Sequence, residues 1–179
     1  NIYKRLNIET FIVREPKDIP LASKLILPGV GAFDEVLGKL GESGLRNALD
    51  EAVLNNKVPV MGICVGMQIM ADGSEEGSLK GLGWISGYVK CFDIKQINVV
   101  PKLPHMGWND ISHSKHPIFR GIDQMVGFYF LHSYFFQTEK QKNVIATSFY
   151  QHQFDCAVNY KNIYGFQFHP EKSHSNGIR

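Results

Sequence analysis

Val58-Pro59-Val60-Met61-Gly62-Ile63-Cys64-Val65-Gly66-Met67-Gln68 is the stretch around which the chain is organised. An apolar run ends at Cys64, which has a glycine two residues to either side, and helical character resumes from Met67. The pattern predicts a buried strand that turns sharply into a helix, with Cys64 at the turn. Glycine is needed there because a larger side chain would keep the backbone from closing. A small core cysteine at a strand end is the alternative interpretation.

A cysteine at such a turn is a candidate nucleophile. The positive end of the following helix is expected to lower the pKa of Cys64 and favour the thiolate. A base is offered by Gly165-Phe166-Gln167-Phe168-His169-Pro170-Glu171. If that stretch is extended, His169 and Glu171 point to one side and can act as base and orienting carboxylate. A surface His–Glu pair is the alternative, but together with Cys64 the stretch predicts a Cys-His-Glu triad.

The composition is that of a globular protein without an obvious polyanionic or membrane partner. The 179 residues are 44% hydrophobic and 20% charged, and the formal net charge of +2 comes without a basic stripe for nucleic acid. No apolar run is long enough to cross a bilayer. Cys64, Cys91 and Cys156 lack C-x-x-C spacing, so no metal site is expected, Cys91 and Cys156 are interpreted as structural, and the cytoplasm is the simplest location.

The order of elements predicts a single α/β domain over residues 1–179. Strands alternate with helices in the first half, with strands expected near 11–13, 23–27 and 58–64 and helices near 33–40 and 45–55. The second half is rich in strands with little helix between them, at 89–92, 99–100, 128–136, 144–149, 156–160 and 164–168. We therefore expect an open mixed sheet, mostly parallel with helices on both faces, that carries an antiparallel extension.

Several motifs together resemble a known family. The stretch 62–68 and Phe168-His169-Pro170-Glu171 are similar to the paired signatures of class I, triad-type glutamine amidotransferase domains. Stretches 27–33 (LPGVGAF), 104–109 (PHMGWN) and 129–134 (YFLHSY) resemble the glutaminase subunits of imidazole glycerol phosphate synthase, an enzyme of histidine biosynthesis. Related subunits that serve surface amino-sugar pathways are the alternative, and Val65 is one feature that leans towards them. The likeness covers nearly the whole chain.

The resemblance implies a flavodoxin-like fold and a cofactor-free hydrolysis of glutamine. In that reaction the Cys64 thiolate attacks the side-chain carboxamide, His169 protonates the departing ammonia and then activates water, and Glu171 orients His169. The backbone N–H groups implied for the oxyanion hole are those of Val65, Val30 and Gly31. The residues implied to bind the substrate are Gly31, Gln68, Glu76, His132, Ser133 and Tyr134. Without the family, Glu76 would be interpreted as a solvated loop residue and His132 as a satisfied core histidine.

The resemblance also implies a partner. Released ammonia would become inert ammonium in water, so it is expected to pass directly into a (β/α)₈-barrel cyclase that forms a heterodimer with this chain. Tyr129 and Lys172 are the predicted interface residues; a core tyrosine and a solvated lysine are the alternatives. Family members have a strand before residue 1 and a helix after Gly177, so a longer polypeptide is expected. A cysteine hydrolase of another class and a catalytically silent homologue are the competing hypotheses.

Overall fold

The computed structural model describes residues 2–93 and 103–178. Its α-helices are α1 (Ile2–Arg5), α2 (Phe33–Glu42), α3 (Arg46–Asp50), α4 (Val65–Gln68) and α5 (His174–Ile178), and a π-helical segment, Glu51–Asn55, continues α3. Its strands are β1 (Leu25–Gly29), β2 (Val60–Cys64), β3 (Gly73–Ser74), β4 (Gly87–Cys91), β5 (His105–Asn109), β6 (Ser112–His113), β7 (Phe128–His132), β8 (Tyr134–Thr138), β9 (Val144–Tyr150), β10 (His152–Tyr160) and β11 (Ile163–Phe166). The strand expected at 99–100 lies outside the described residues.

The main sheet has the strand order β1-β2-β11-β10-β9-β6. Strand β2 pairs in parallel with both β1 and β11, and the remaining neighbours are antiparallel. The sheet is therefore open and mixed as predicted, but less parallel than expected. Tight turns at Gln151 and Lys161, both with positive φ, join β9, β10 and β11, and strands joined so closely can only pair antiparallel.

Two smaller sheets, β3-β4-β8 and β5-β7, complete the sheet structure of the described residues. The apolar stretch 128–136 was expected to be one strand, yet it divides at Ser133, and its two parts, β7 and β8, pair with β5 and β4 respectively. The strand expected at 11–13 does not form. Phe11 and Ile12 are 52% and 76% exposed, so their side chains have no buried face to line.

Two hydrophobic clusters lie on this framework. One joins the helices to β1 and β2 and includes Phe33, Val53 and Met67, while the other is rich in aromatic rings and includes Phe130 and Phe154. No helix within residues 2–93 and 103–178 has the length and apolarity that a bilayer span requires.

The carboxyl ends of β1, β2 and β11 meet at one edge of the main sheet. In the register, Gly29 lies beside Cys64, and Ile63 lies beside Phe166. Crevices at the carboxyl ends of parallel strands are the usual location of ligand sites in open α/β sheets. The chain that leaves β2 carries Cys64 into this edge, and the chain that leaves β11 brings His169 towards it.

Candidate active site

Cys64 occupies the sharp turn between β2 and α4. Its φ of 54° and ψ of −116° are unusual for a residue with a side chain. A Cβ on Gly62 would lie 2.5 Å from the carbonyl oxygen of Gly66, and a Cβ on Gly66 would overlap the carbonyl oxygen of Leu27. The two flanking glycines therefore let β2, α4 and β1 pack backbone against backbone, as the sequence predicted for this turn.

The thiol itself is buried between two segments that are distant in sequence. Its Sγ lies 3.7 Å from the carbonyl oxygen of Leu131, and the side-chain amide of Gln167 donates to it at 3.8 Å. Burial raises the pKa of Cys64 to about 11, although the N–H of Val65 acts in the opposite direction. The expected lowering of this pKa is thus wrong. Helix α4 is a single turn with a weak dipole, and desolvation outweighs it.

His169 and Glu171 are in direct contact, but not for the reason the sequence suggested. Strand β11 ends at Phe166, and Pro170–Lys172 forms a 3₁₀ turn that folds Glu171 back onto the ring. The distance between His169 Nδ1 and Glu171 Oε1 is 2.7 Å. A carboxylate can only accept, so this contact assigns the proton to Nδ1 and leaves the lone pair on Nε2.

The Nε2 atom of His169 is buried and lacks a hydrogen-bond partner among the described residues. The backbone holds the residue from both sides, because its N–H donates to the Tyr129 carbonyl at 2.8 Å and its carbonyl accepts from Ser173 Oγ at 2.6 Å. The ring is 4% exposed. This is the geometry of an imidazole that is fixed in place with its basic nitrogen available.

A cavity of about 300 Å³ brings Cys64 and His169 together. Its lining contains eleven of the predicted site residues, Val30, Gly31, Cys64, Val65, Gln68, Glu76, His132, Ser133, Tyr134, His169 and Lys172, and two that were not predicted, Pro104 and Leu131. Glu171 contacts His169 without lining the cavity, and Tyr129 lies under Lys172, whose Nζ is 5.5 Å from the ring centroid. The volume and the mixed polar lining suit a small polar metabolite.

Glu76 is firmly attached to the fold. Its Oε2 accepts from the N–H of Phe33, the first residue of α2, at 2.9 Å. Asp34 stabilises the loop that follows Glu76 by accepting from the N–H groups of Ser78 and Leu79. Gly31, on the facing loop, has a φ of 104°, which favours glycine. Glu76 is therefore not the loosely solvated loop residue that the sequence allowed as an alternative.

The Gln68 side chain joins two walls of the cavity. Its Nε2 donates to the carbonyl of Tyr134 at 2.8 Å and to Oε1 of Gln167 at 3.0 Å. No role was predicted for Gln167, which is completely buried and also contacts the thiol. Its place in the Gly165–Glu171 stretch, two residues before His169, was the available signal. Residues 2–93 and 103–178 contain no group of three or more His, Cys, Asp or Glu side chains that could hold a metal ion.

Comparison with known proteins now defines the class. The sequence profile of the family described as "Glutamine amidotransferase class-I" matches residues 5–178. The chain therefore belongs to the class I glutamine amidotransferases, which confirms the predicted family and enzyme class.

Within that family the chain is similar to particular proteins along its whole length. It is 47% identical to "Imidazole glycerol phosphate synthase subunit HisH" of Leptospira borgpetersenii over 179 residues, or 99% of this chain and 88% of that protein. The subunit of the same name from Bdellovibrio bacteriovorus is 47% identical, with 99% and 88% covered, and "subunit HisH 2" of Pseudomonas aeruginosa is 42% identical, with 100% and 88% covered.

Solved structures confirm the fold. A crystal structure described as a glutamine amidotransferase superposes with a TM-score of 0.70 at 19% identity, covering 99% of this chain and 86% of the other. The glutaminase domain of Trypanosoma brucei CTPS, solved with bound acivicin, gives a TM-score of 0.65 at 16% identity, covering 99% and 81%.

Proposed function

We propose that this chain hydrolyses glutamine to glutamate and ammonia as the glutaminase subunit of an imidazole glycerol phosphate synthase, in histidine biosynthesis. The observation that carries the proposal is the single cavity lined by Cys64 and by His169, with Nε2 of His169 unpartnered within the described chain. Relatives between 40% and 47% identical bear that subunit's name, which supports histidine biosynthesis over the surface amino-sugar alternative.

The reaction begins with proton transfer. Because burial raises the pKa of Cys64 to about 11, the resting thiol is protonated at neutral pH and must lose its proton to His169 as it attacks the carboxamide. Glu171, hydrogen-bonded to Nδ1, stabilises the imidazolium that forms. His169 then protonates the departing ammonia, which leaves a glutamyl thioester, and afterwards takes a proton from the water that releases glutamate.

The cavity walls provide the remaining roles. The N–H of Val65 and the loop of Val30 and Gly31 stabilise the oxyanion. Glu76, fixed against the start of α2, receives the α-ammonium group of glutamine, since it carries a carboxylate into the cavity. Further substrate contacts come from Gln68 and from the segment His132, Ser133 and Tyr134, whose backbone accommodates the α-carboxylate.

A docking surface for the partner adjoins the cavity. Met106, Trp108 and Met125 are 66%, 48% and 91% exposed, an unusual exposure for large apolar side chains. Trp108 packs edge-on to Tyr129 at 6.3 Å, and Tyr129 lies under Lys172, which reaches the cavity.

We propose that a (β/α)₈-barrel cyclase binds this surface as the second chain of a heterodimer. Binding beside the cavity would let ammonia pass between the two sites before water protonates it. A cytoplasmic location belongs to the same proposal, since it suits the three free thiols, of which Cys91 is exposed.

A diazo-ketone analogue of glutamine tests the chemistry directly. With the native cyclase present, we expect the analogue to label Cys64 and to stop glutamine turnover, and Cys64→Ala to abolish both. Cys91→Ala is the matched control, because that thiol is exposed and lies outside the cavity lining. Absence of glutamine turnover in the complex, or labelling at Cys91 in place of Cys64, would overturn the proposal.

The acceptor and the docking surface need separate measurements. The complex should transfer ammonia to the imidazole precursor and not to a keto-sugar; the reverse preference would support the amino-sugar alternative. Met125→Asp should weaken the partner's binding at least tenfold by placing a charge in an apolar contact. Leu21→Asp is the control, since Leu21 is 75% exposed and is not one of the residues of the proposed docking surface. Equal affinities for the two variants would reject this surface.

A further inference from the structure

A pair of buried histidines adjoins the cavity. His132, which lines it, and His105 are 6% and 4% exposed, and His105 Nδ1 lies 3.0 Å from His132 Nε2. The His105 ring is held between Phe130 and Tyr150, with centroids 4.8 Å and 4.0 Å away and nearly parallel planes. The triad chemistry uses neither ring directly, so the contact between them needs its own explanation.

The direction of every hydrogen bond in this pair follows from Asn109. The N–H of Asp110 donates to Asn109 Oδ1 at 2.8 Å, which assigns Nδ2 to the opposite side of the amide. Nδ2 donates to the Phe149 carbonyl at 2.9 Å and lies 3.2 Å from His105 Nε2. His105 Nε2 must therefore accept, so Nδ1 carries the proton and donates to His132 Nε2.

His132 is the last donor in this series of hydrogen bonds. Because His132 accepts at Nε2, its proton is on Nδ1, which lies 2.8 Å from the carbonyl oxygen of Tyr134. The amide of Gln68 donates to the same oxygen. Gln68 also donates to Gln167, whose own amide donates to the Cys64 Sγ. The Tyr134 carbonyl oxygen thus accepts from His132 on one side and from Gln68 on the other. Through Gln68 and Gln167 it is linked to the thiol.

We propose that Asn109 and His105 are positioning residues, which act through His132 to hold the Tyr134 carbonyl in place. This carbonyl accepts from Gln68, which in turn orients Gln167, the residue whose amide donates to the Cys64 thiol. This inference rests on the proposed glutamine hydrolysis. The three residues form a relay, Asn109–His105–His132, in which both rings are buried and Asn109 is half-buried, and each polar atom has one permitted partner type. A second proton on either ring would set donor against donor, so the relay works only while both rings are neutral.

The surroundings keep both rings neutral. Burial lowers the pKa of His105 to about 4 and that of His132 to about 3. Within residues 2–93 and 103–178, the titratable groups that face the pair are Tyr150, stacked on His105, and His169, whose positive charge contributes to the low pKa of His132. The wild-type relay therefore does not titrate between pH 6 and pH 9, the range in which the reaction can be assayed.

Asn109→Asp tests the relay by replacing its first donor with an acceptor of the same shape. The new carboxylate demands a proton on His105 Nε2. At low pH the ring carries two protons, so Nε2 donates to the carboxylate while Nδ1 still donates to His132. As pH rises the ring loses one of its two protons, and the carboxylate keeps the remaining one on Nε2. His105 Nδ1 can then no longer donate to His132, and the contact of His132 with the Tyr134 carbonyl fails. The Phe149 carbonyl loses its donor at every pH, so only the change of the kcat ratio with pH reports on the relay. We expect the variant-to-wild-type ratio of kcat to fall about tenfold between pH 6 and pH 9.

Two further variants distinguish the loss of the relay from a general loss of stability. His105→Leu should lower kcat about tenfold at every pH. The ratio should be flat because the ring that titrates in Asn109→Asp is absent, and burial keeps the remaining His132 ring neutral. Ile145 belongs to the aromatic-rich cluster that also contains Phe130. Ile145→Val should therefore lower stability and leave the kcat ratio near one. All assays use the complex with the native cyclase, and thermal melts confirm that each variant is folded at the assay temperature.

Side-chain ¹⁵N spectra of the wild-type chain provide a readout independent of activity. Both His105 and His132 should be neutral with the proton on Nδ1 at pH 7. A proton on Nε2 of either ring, or a flat kcat ratio for folded Asn109→Asp, would overturn the relay while glutamine turnover stands. If Asn109→Asp does not fold, His105→Leu and the wild-type spectra decide. A wild-type complex without glutamine turnover would overturn the proposed function itself.

Discussion

The thiol and the imidazole of the candidate site are held in place by different forces. Cys64 is positioned by backbone packing, since Gly62, Gly66 and Gly29 leave no space for a side chain between β1, β2 and α4. His169 is positioned by hydrogen bonds, and the Glu171 side chain that orients it is 45% exposed. A change on the thiol side should therefore affect folding first, and a change on the imidazole side should affect turnover first.

Gly66→Ala should produce the largest effect. Its Cβ would overlap the Leu27 carbonyl oxygen, so strand β1 or helix α4 must move. We expect a loss of at least about 3 kcal/mol in the free energy of unfolding, measured by urea denaturation, or no folded protein. Gly38→Ala, in α2 with open space around its Cβ, should instead gain about 0.5–1 kcal/mol. Similar stability of the two variants would contradict the conclusion that backbone packing positions Cys64.

Glu171→Gln should reduce turnover with little change in stability. The amide cannot stabilise an imidazolium as a carboxylate does, so we expect kcat to fall about 10²-fold or more. The melting temperature should stay close to that of the wild type because the side chain is half exposed. Glu51→Gln is the control, since its exposed carboxylate accepts from the Asn55 side-chain amide and does not line the cavity. Unchanged kcat in Glu171→Gln would show that the Glu171 carboxylate does not stabilise the His169 imidazolium in the reaction.

Alkylation of Cys64 by iodoacetamide should depend steeply on pH. Burial raises the pKa of this thiol to about 11, and only the thiolate reacts, so the rate should rise about tenfold per pH unit between pH 7 and pH 9. Mass spectrometry of Cys91→Ser measures the rate without the exposed thiol. A rate that levels off near pH 7 would show the lowered pKa that the sequence suggested.

Ser173→Ala should have the smallest effect. This buried hydroxyl donates to the His169 carbonyl and accepts from the Tyr129 N–H at 3.0 Å. Its loss takes this acceptor from the Tyr129 N–H, while the His169 carbonyl still accepts from the Lys172 N–H at 3.0 Å. We therefore expect about 1 kcal/mol of destabilisation and a few-fold lower kcat. Ser43→Ala removes an exposed hydroxyl and should cost less than about 0.5 kcal/mol. Equal losses would mean that the imidazole side does not depend on this hydroxyl.

The parts of the molecule that short motifs encode were predictable from sequence. The turn at Cys64 and the proximity of His169 to Glu171 depend on residues within a few positions of one another. The pKa of Cys64 was not predictable, because it depends on burial by Leu131 and Gln167 from distant segments. The apolar run through residues 128–136 likewise gives no sign that the chain changes sheet at Ser133.

The histidine relay was beyond sequence reasoning for a related reason. His105 and His132 become neighbours only through the register of β5 and β7, in which they are directly paired. His132 was predicted as a substrate contact or as a satisfied core histidine, and the structure gives it features of both, since it lines the cavity and uses both ring nitrogens. Its substrate role stays a prediction.

The two tryptophans differ so strongly in hydration that they form a built-in pair of fluorescent reporters. Trp84 is 3% exposed, and its indole N–H donates to Asp50 at 2.7 Å, whereas Trp108 is 48% exposed and stacks on His174. Indole emission shifts to the blue when water is removed from the ring. Association with another chain should therefore change the red component from Trp108, while the blue component from Trp84 records whether the domain stays folded.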